Sequence, residues 1–152
     1  MAGPPDQARV EAVADRLHSA AVHLLRRVRR EDEGSGLSPA RLSALSVLVF
    51  AGPSTVGQLA AAEQVRSPTM TRLVQELEGD GLVRRTASPA DGRVVEVRAT
   101  PKGRRVLLAA RRRRVAALGA LLADLRQEEL TALGDAVSIL ERLLGGHPAR
   151  GS

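Results

Sequence analysis

Between residues 55 and 99 the apolar pattern changes from the period of a helix to the period of a strand, and this switch constrains the fold more than any other feature of the chain. Thr55, with Gln58 three residues on, has the form of a capping box and opens a helix over 56–64. Ser67-Pro68 opens the next, over 68–79: the hydroxyl can accept first-turn N–H groups, and the proline lacks an N–H where none is needed. Only Gln64-Val65-Arg66-Ser67 separates these two short helices, the spacing of a helix-turn-helix. Leu82–Thr86 and Arg93–Ala99 are then β-branched and alternating, as strands are. Between them Ala87-Ser88-Pro89-Ala90-Asp91-Gly92 is rich in turn formers, with Asp91-Gly92 the strongest hairpin signal in the chain. A two-stranded hairpin with a basic tip, directly after a helix-turn-helix, is a wing.

The flanks are helical. Asp6 is placed to cap a first helix whose stripe is Val10, Val13, Leu17, Ala21, Leu24, Leu25 and Val28, broken by the acidic and glycine-rich run 31–36. Ser38-Pro39 starts a second helix over 39–51, and Thr100-Pro101 starts a helical stretch that runs nearly to the end. In that stretch Val106, Leu107, Leu118, Leu121, Leu122 and Leu125 line one helix, and Leu130, Leu133, Val137, Leu140 and Leu144 line another. A chain of 152 residues split among six helices leaves little shared core, so the leucine stripes of the terminal helices require a partner. The expected fold class is mainly α with a small β-hairpin wing: a winged helix-turn-helix over 37–99, plus N- and C-terminal dimerisation helices over 6–33 and 100–144. Residues 1–5 and 145–152 are expected to be disordered tails.

Charge points to the same middle segment. The net charge is +6, but residues 1–36 and 37–65 each balance to zero, and residues 116–152 are net acidic. Residues 66–115 hold thirteen basic side chains against five acidic ones, the footprint of a polyanion binder. Phe50 is the only aromatic residue, which argues against base stacking on single strands and leaves duplex DNA as the expected partner.

Other chemistries find no residues to carry them. Without cysteine there is no disulfide, thiolate metal site, cysteine nucleophile or thiol switch. His18 and His23 diverge by more than a quarter turn of helix and His147 lies in the tail, so no metal and no cofactor is expected. Ser43, Ser46 and Ser138 lack the elbow and partners of a nucleophile, so no enzyme is expected. The uncharged run 42–62 is broken by Gly52-Pro53-Ser54-Thr55, and the first residues carry no basic leader, so the expectation is a cytoplasmic protein away from the membrane.

In a helix-turn-helix the second helix enters the major groove with its N-terminal residues leading. Met70, Leu73, Val74 and Leu77 share one face and should pack inward, leaving Pro68, Thr69, Thr71, Arg72 and Gln75 toward the DNA. Arg72 can offer a fork to guanine and Gln75 can address adenine, while Ser67 sits at the positive end of the helix, a natural phosphate seat. Arg93, at the hairpin tip, is suited to a minor groove. Asp91 should hold the turn and orient Arg93 through a charge-assisted hydrogen bond. Arg84, Arg85 and Arg98 are phosphate contacts or a solvated strand face. Arg111–Arg114 point in four directions and read as solvated helix surface.

The chain resembles the MarR family of winged helix-turn-helix regulators over residues 10–144. The resemblance rests on Leu59-Ala-Ala-Ala-Glu, Ser67-Pro-Thr-Met-Thr-Arg-Leu-Val and Leu77-Glu-Gly-Asp-Gly-Leu-Val-Arg-Arg, followed by Asp91-Gly92-Arg93 and Ala99-Thr100-Pro101-Lys102-Gly103. Ala99 stands where the family has leucine, and Arg126 where a Ser or Thr often caps the last helix. The resemblance implies a homodimer on a pseudo-palindromic operator, with Thr71 and Arg72 as groove contacts and Arg93 at the wing tip. It also implies repression relieved by a small-molecule effector. Family pockets for phenolic compounds often use aromatics; here the open readings are a ligand-free regulator, or an aliphatic or anionic effector near His18, His23, Arg27 and Phe50. A protein-interaction module that docks an acidic partner is the alternative from another class.

Overall fold

The computed structural model describes residues 6–145. The chain divides into two compact units, one up to Val115 and the other from Ala116. The elements are α1 (Gln7–Arg30), a 3-10 turn (Glu33–Ser35), α2 (Pro39–Phe50), α3 (Val56–Ala62), α4 (Ser67–Gly79), β1 (Val83–Ala87), β2 (Val95–Ala99), α5 (Pro101–Leu122) and α6 (Gln127–Leu143). This is the mainly helical architecture with one hairpin that the period switch implies. The tails lie outside the described residues, apart from Gly145.

Three helix starts follow directly from side-chain chemistry. The Ser38 hydroxyl accepts from the Arg41 N–H at 3.3 Å, and Thr100 Oγ1 accepts from the Gly103 N–H at 3.0 Å. At α3 the capping box closes both ways: Gln58 N–H donates to Thr55 Oγ1 at 3.2 Å, and Thr55 N–H to Gln58 Oε1 at 2.8 Å. The fourth start departs from expectation. The α4 helix begins one residue early, so Ser67 is its first helical residue, and Arg66, extended and without a side-chain bond, is the cap. Pro68 then takes the second helical position, where its missing N–H is equally harmless.

The core of the first unit is the inner faces of α2, α3 and α4, closed by the hairpin and by α5. Leu42, Leu45, Leu59, Met70, Val74, Leu77, Val83 and Val97 are fully buried. Burying each such side chain contributes roughly 1.5–3 kcal/mol. Leu73 is only half-buried, at the margin of this core. Strands β1 and β2 pair antiparallel from Val83↔Ala99 to Ala87↔Val95. Ser54 adds a bridge to the free edge of β2, its N–H donating to Val97 O at 3.2 Å and its carbonyl accepting from Val97 N at 2.8 Å. The segment leading into α3 is thereby tied to the wing. Gly103 lets α5 approach β1, since a Cβ there would stand 2.1 Å from the Leu82 carbonyl oxygen.

In the second unit α6 starts at an arginine. Arg126 N–H donates to Glu129 Oε2 at 3.0 Å and Arg126 Nη2 to Oε1 at 3.1 Å, so the carboxylate three residues on does the capping.

Candidate nucleic-acid interface

The turn between α3 and α4 depends on Gln64, whose φ of +53° is in the left-handed region that non-glycine residues seldom enter. It lets the Val65 N–H reach back to the Ala60 carbonyl at 3.0 Å, and α4 departs at once. Met70, Val74 and Leu77 anchor α4 on the core, which leaves Ser67, Pro68, Thr69, Arg72 and Gln75 exposed along its outer face. Thr71 is half-buried, and its hydroxyl donates to the Ser67 carbonyl at 2.9 Å.

Arg72 projects into solvent, its side chain 83% exposed. Its Nε donates to Glu76 Oε1 at 3.1 Å, so one turn of helix holds the stem while the terminal amino groups stay available. Glu76 is itself held from behind. Arg41 of α2 lies 3.9 Å from its other carboxylate oxygen, donates to its backbone carbonyl and pairs with Asp80, and Lys102 donates to the Asp80 carbonyl at 2.7 Å.

The wing tip is a loop over 88–94 rather than the expected 87–92, because β1 starts and ends one residue later than its sequence pattern and β2 starts two residues later while still ending at Ala99. Ser88 closes the loop at its base. Its N–H donates to Val94 O at 2.7 Å and its buried hydroxyl to Glu96 Oε1 at 2.8 Å. Asp91 holds the tip, but through the backbone: Asp91 Oδ1 accepts from the Arg93 N–H at 3.0 Å. The expected bond to the Arg93 guanidinium is absent, since a short Asx-type closure reaches the nearer amide first. Arg93 is exposed and forms no ion pair among the described residues. Of the strand arginines, Arg84 is exposed, Arg85 lies 3.7 Å from Glu78, and Arg98 donates to Glu96 at 3.0 Å and Thr86 at 3.1 Å.

One expectation is overturned nearby. Arg113 and Arg114 are not solvated surface: Arg114 grips the buried Asp32 carboxylate with two bonds, and Arg113 Nε reaches the Glu31 carbonyl at 3.4 Å. The α1–α2 connection folds back onto α5 and brings an acceptor within reach, which no local spacing reveals. Asp32 and Arg114 also border a cavity of about 460 Å³ with Leu25, Val28, Arg29 and Ser43. His18, His23, Arg27 and Phe50 do not line it, and all four are exposed. The His23 Nδ1 is taken up by the Ser19 carbonyl at 2.8 Å. Among the described residues no group of three His, Cys, Asp or Glu stands close enough to hold a metal. No described helix is long and apolar enough to cross a membrane.

A helix-turn-helix with an exposed polar second helix, followed by a wing with an arginine at its tip, defines a winged helix-turn-helix DNA-binding protein. Comparison with known proteins identifies its kind. The MarR family model matches residues 35–94. An HTH-type transcriptional regulator of Mycobacterium bovis is 37% identical over 136 residues, covering 90% of this chain and 95% of that protein. A MarR family protein of Bacillus stearothermophilus superposes with a TM-score of 0.82 at 25% identity, over 93% of this chain and 99% of that one. CouR of Rhodococcus jostii, whose structure holds p-coumaroyl-CoA, superposes with a TM-score of 0.67 at 26% identity, over 97% and 100% of the two chains. The chain belongs to the MarR family and is a DNA-binding transcriptional regulator.

Proposed function

We propose that this regulator acts in the cytoplasm as a homodimeric repressor without catalytic activity. It reads a pseudo-palindromic operator through residues 37–99, with half-sites one helical turn, about 34–36 Å, apart. The observation that carries this reading is the pairing of α4, with Thr69, Arg72 and Gln75 exposed, with a wing whose exposed Arg93 forms no ion pair among the described residues. Arg72 reads a base edge and Gln75 a second. Thr71 accompanies Arg72 in the groove, Ser67, Pro68 and Thr69 lie against the backbone at the start of α4, and Arg93 enters the minor groove from a tip shaped by Asp91. Arg84, Arg85 and Arg98 reach phosphates.

Dimerisation through residues 6–33 and 100–144 is supported by apolar side chains left in water. Val13, Leu17 and Leu25 on α1 are each at least 44% exposed, and Leu130, Leu133 and Val137 on α6 at least 39%. A small-molecule effector is supported by the acyl-CoA held in CouR and by the cavity beside Asp32 and Arg114. His18, His23, Arg27 and Phe50 remain a second locus for it.

Selection of duplexes from a genomic pool at near-physiological salt tests the reading, with Arg93→Ala carried in parallel. The expected result is a pseudo-palindromic motif whose enrichment falls in the mutant while the dimer and its thermal unfolding are unchanged. Binding without a motif that vanishes as salt rises would overturn it, and would favour a module for an acidic protein partner.

A further inference from the structure

The outer face of the hairpin sets like charges against each other. In the β1–β2 register Arg84 stands directly across from Arg98, an arrangement that repels unless something neutralises it. Arg98 is partly answered by Glu96, 3.0 Å away. Arg84 has no ion pair among the described residues, and neither has Arg104, one turn into α5. All three arginines line one cavity of about 460 Å³, and Leu48, Val49 and Pro53 supply apolar wall. The first turn of α5 contains no acidic residue, so the positive end of a 22-residue helix adds to the same field. No residue of α3 or α4 lines this cavity. It lies off the outer face of α4, and it shares Arg84 and Arg98 with the strand arginines assigned above to DNA phosphates.

We propose that this cavity binds a small phosphate ester with an apolar substituent. The phosphate is held by the guanidinium groups of Arg84, Arg98 and Arg104, and the substituent rests on Leu48, Val49 and Pro53. Guanidinium forks suit a tetrahedral oxyanion because its several acceptors can take more than one fork at once. Two uncompensated arginines also match the charge of a phosphate monoester, about −1.5 to −2 at neutral pH. A phosphate of bound DNA offers the same chemistry, so the two sources must be separated by measuring without DNA. The site does not depend on the repressor reading.

The probe is phenyl phosphate, titrated calorimetrically into the full chain at ionic strength fixed with sodium chloride, with inorganic phosphate and phenol as controls. The expected result is saturable binding of phenyl phosphate, tighter than inorganic phosphate, with none for phenol. Arg104→Ala should weaken it by roughly tenfold or more, the loss of a charge-assisted contact. Arg84→Thr should weaken it similarly and, without ligand, raise the thermal midpoint by removing the like-charge pair. Phenyl phosphate binding no tighter than inorganic phosphate, or indifferent to Arg104→Ala, would overturn the proposal. So would absence of saturable binding by a folded protein whose Arg84→Thr and Arg104→Ala variants lose affinity for duplex DNA; that outcome would assign the arginines to the DNA backbone alone.

Discussion

Asp32 and Arg114, 82 residues apart in sequence, meet in a two-pronged ion pair with Nε–Oδ1 at 2.6 Å and Nη2–Oδ2 at 2.8 Å. The Asp32 side chain is 5% exposed and the Arg114 side chain 33%, so removing the arginine strands a buried charge beside partial solvent. Arg114→Ala should destabilise the folded chain by about 2–3 kcal/mol, below the full cost of breaking a wholly buried pair. Asp32→Asn with Arg114→Met should recover part of that loss. Chemical denaturation of the three proteins measures this; an Arg114→Ala midpoint equal to wild type would show the pair to be energetically idle.

Arg72 is held by Glu76 at 3.1 Å and is otherwise free to reach a base. Arg72→Ala should lower operator affinity by about 1–3 kcal/mol and relax preference at one base position. Competition binding against single-base operator variants is the measurement. Equal weakening on operator and random duplex would make Arg72 a phosphate contact instead.

Gln64 occupies the left-handed region at φ +53°, where a side chain carries a steric penalty of about 1 kcal/mol that glycine escapes. Gln64→Gly should therefore raise thermal stability slightly, against the usual destabilising direction of glycine in a connection between helices. A lowered melting temperature would mean that the Gln64 side chain makes up for the strain.

The Arg126 side chain, and after it the Arg126 backbone N–H, hold the Glu129 carboxyl below its ordinary value. A depressed carboxylate contributes stability that is present above its unfolded-state pKa and lost as pH falls through its folded one. The start of α6 should therefore loosen on acidification below the ordinary Glu range. Arg126→Ala should return Glu129 to that range, followed by NMR titration of its side-chain carboxyl. An unchanged Glu129 titration in the variant would remove the arginine as the cause.

The elements of the DNA-reading unit were legible because their signals are local. Thr55 with Gln58, Ser38-Pro39 and Thr100-Pro101 satisfy amide groups within one turn of themselves, and the switch from helical to alternating pattern marks the hairpin without reference to distant residues. The Arg72–Glu76 bond is equally local, four residues apart on one helix. Ser67 shows the limit of local reasoning: its hydroxyl suits a cap, but the turn geometry around Gln64 starts the helix one residue sooner.

Sequence by itself determined which segments are helical, where the hairpin lies, and which arginines crowd the middle of the chain. Those properties depend on side chains close to one another along the backbone. Tertiary structure decided which arginines remain available. It sets Asp32 against Arg114, Asp80 against Arg41 and Ser54 against the edge of β2, and leaves Arg84, Arg93 and Arg104 without an acidic partner among the described residues. Charge neutralisation works through space over a few ångströms, and which charges come that close is settled only when the chain has folded back on itself.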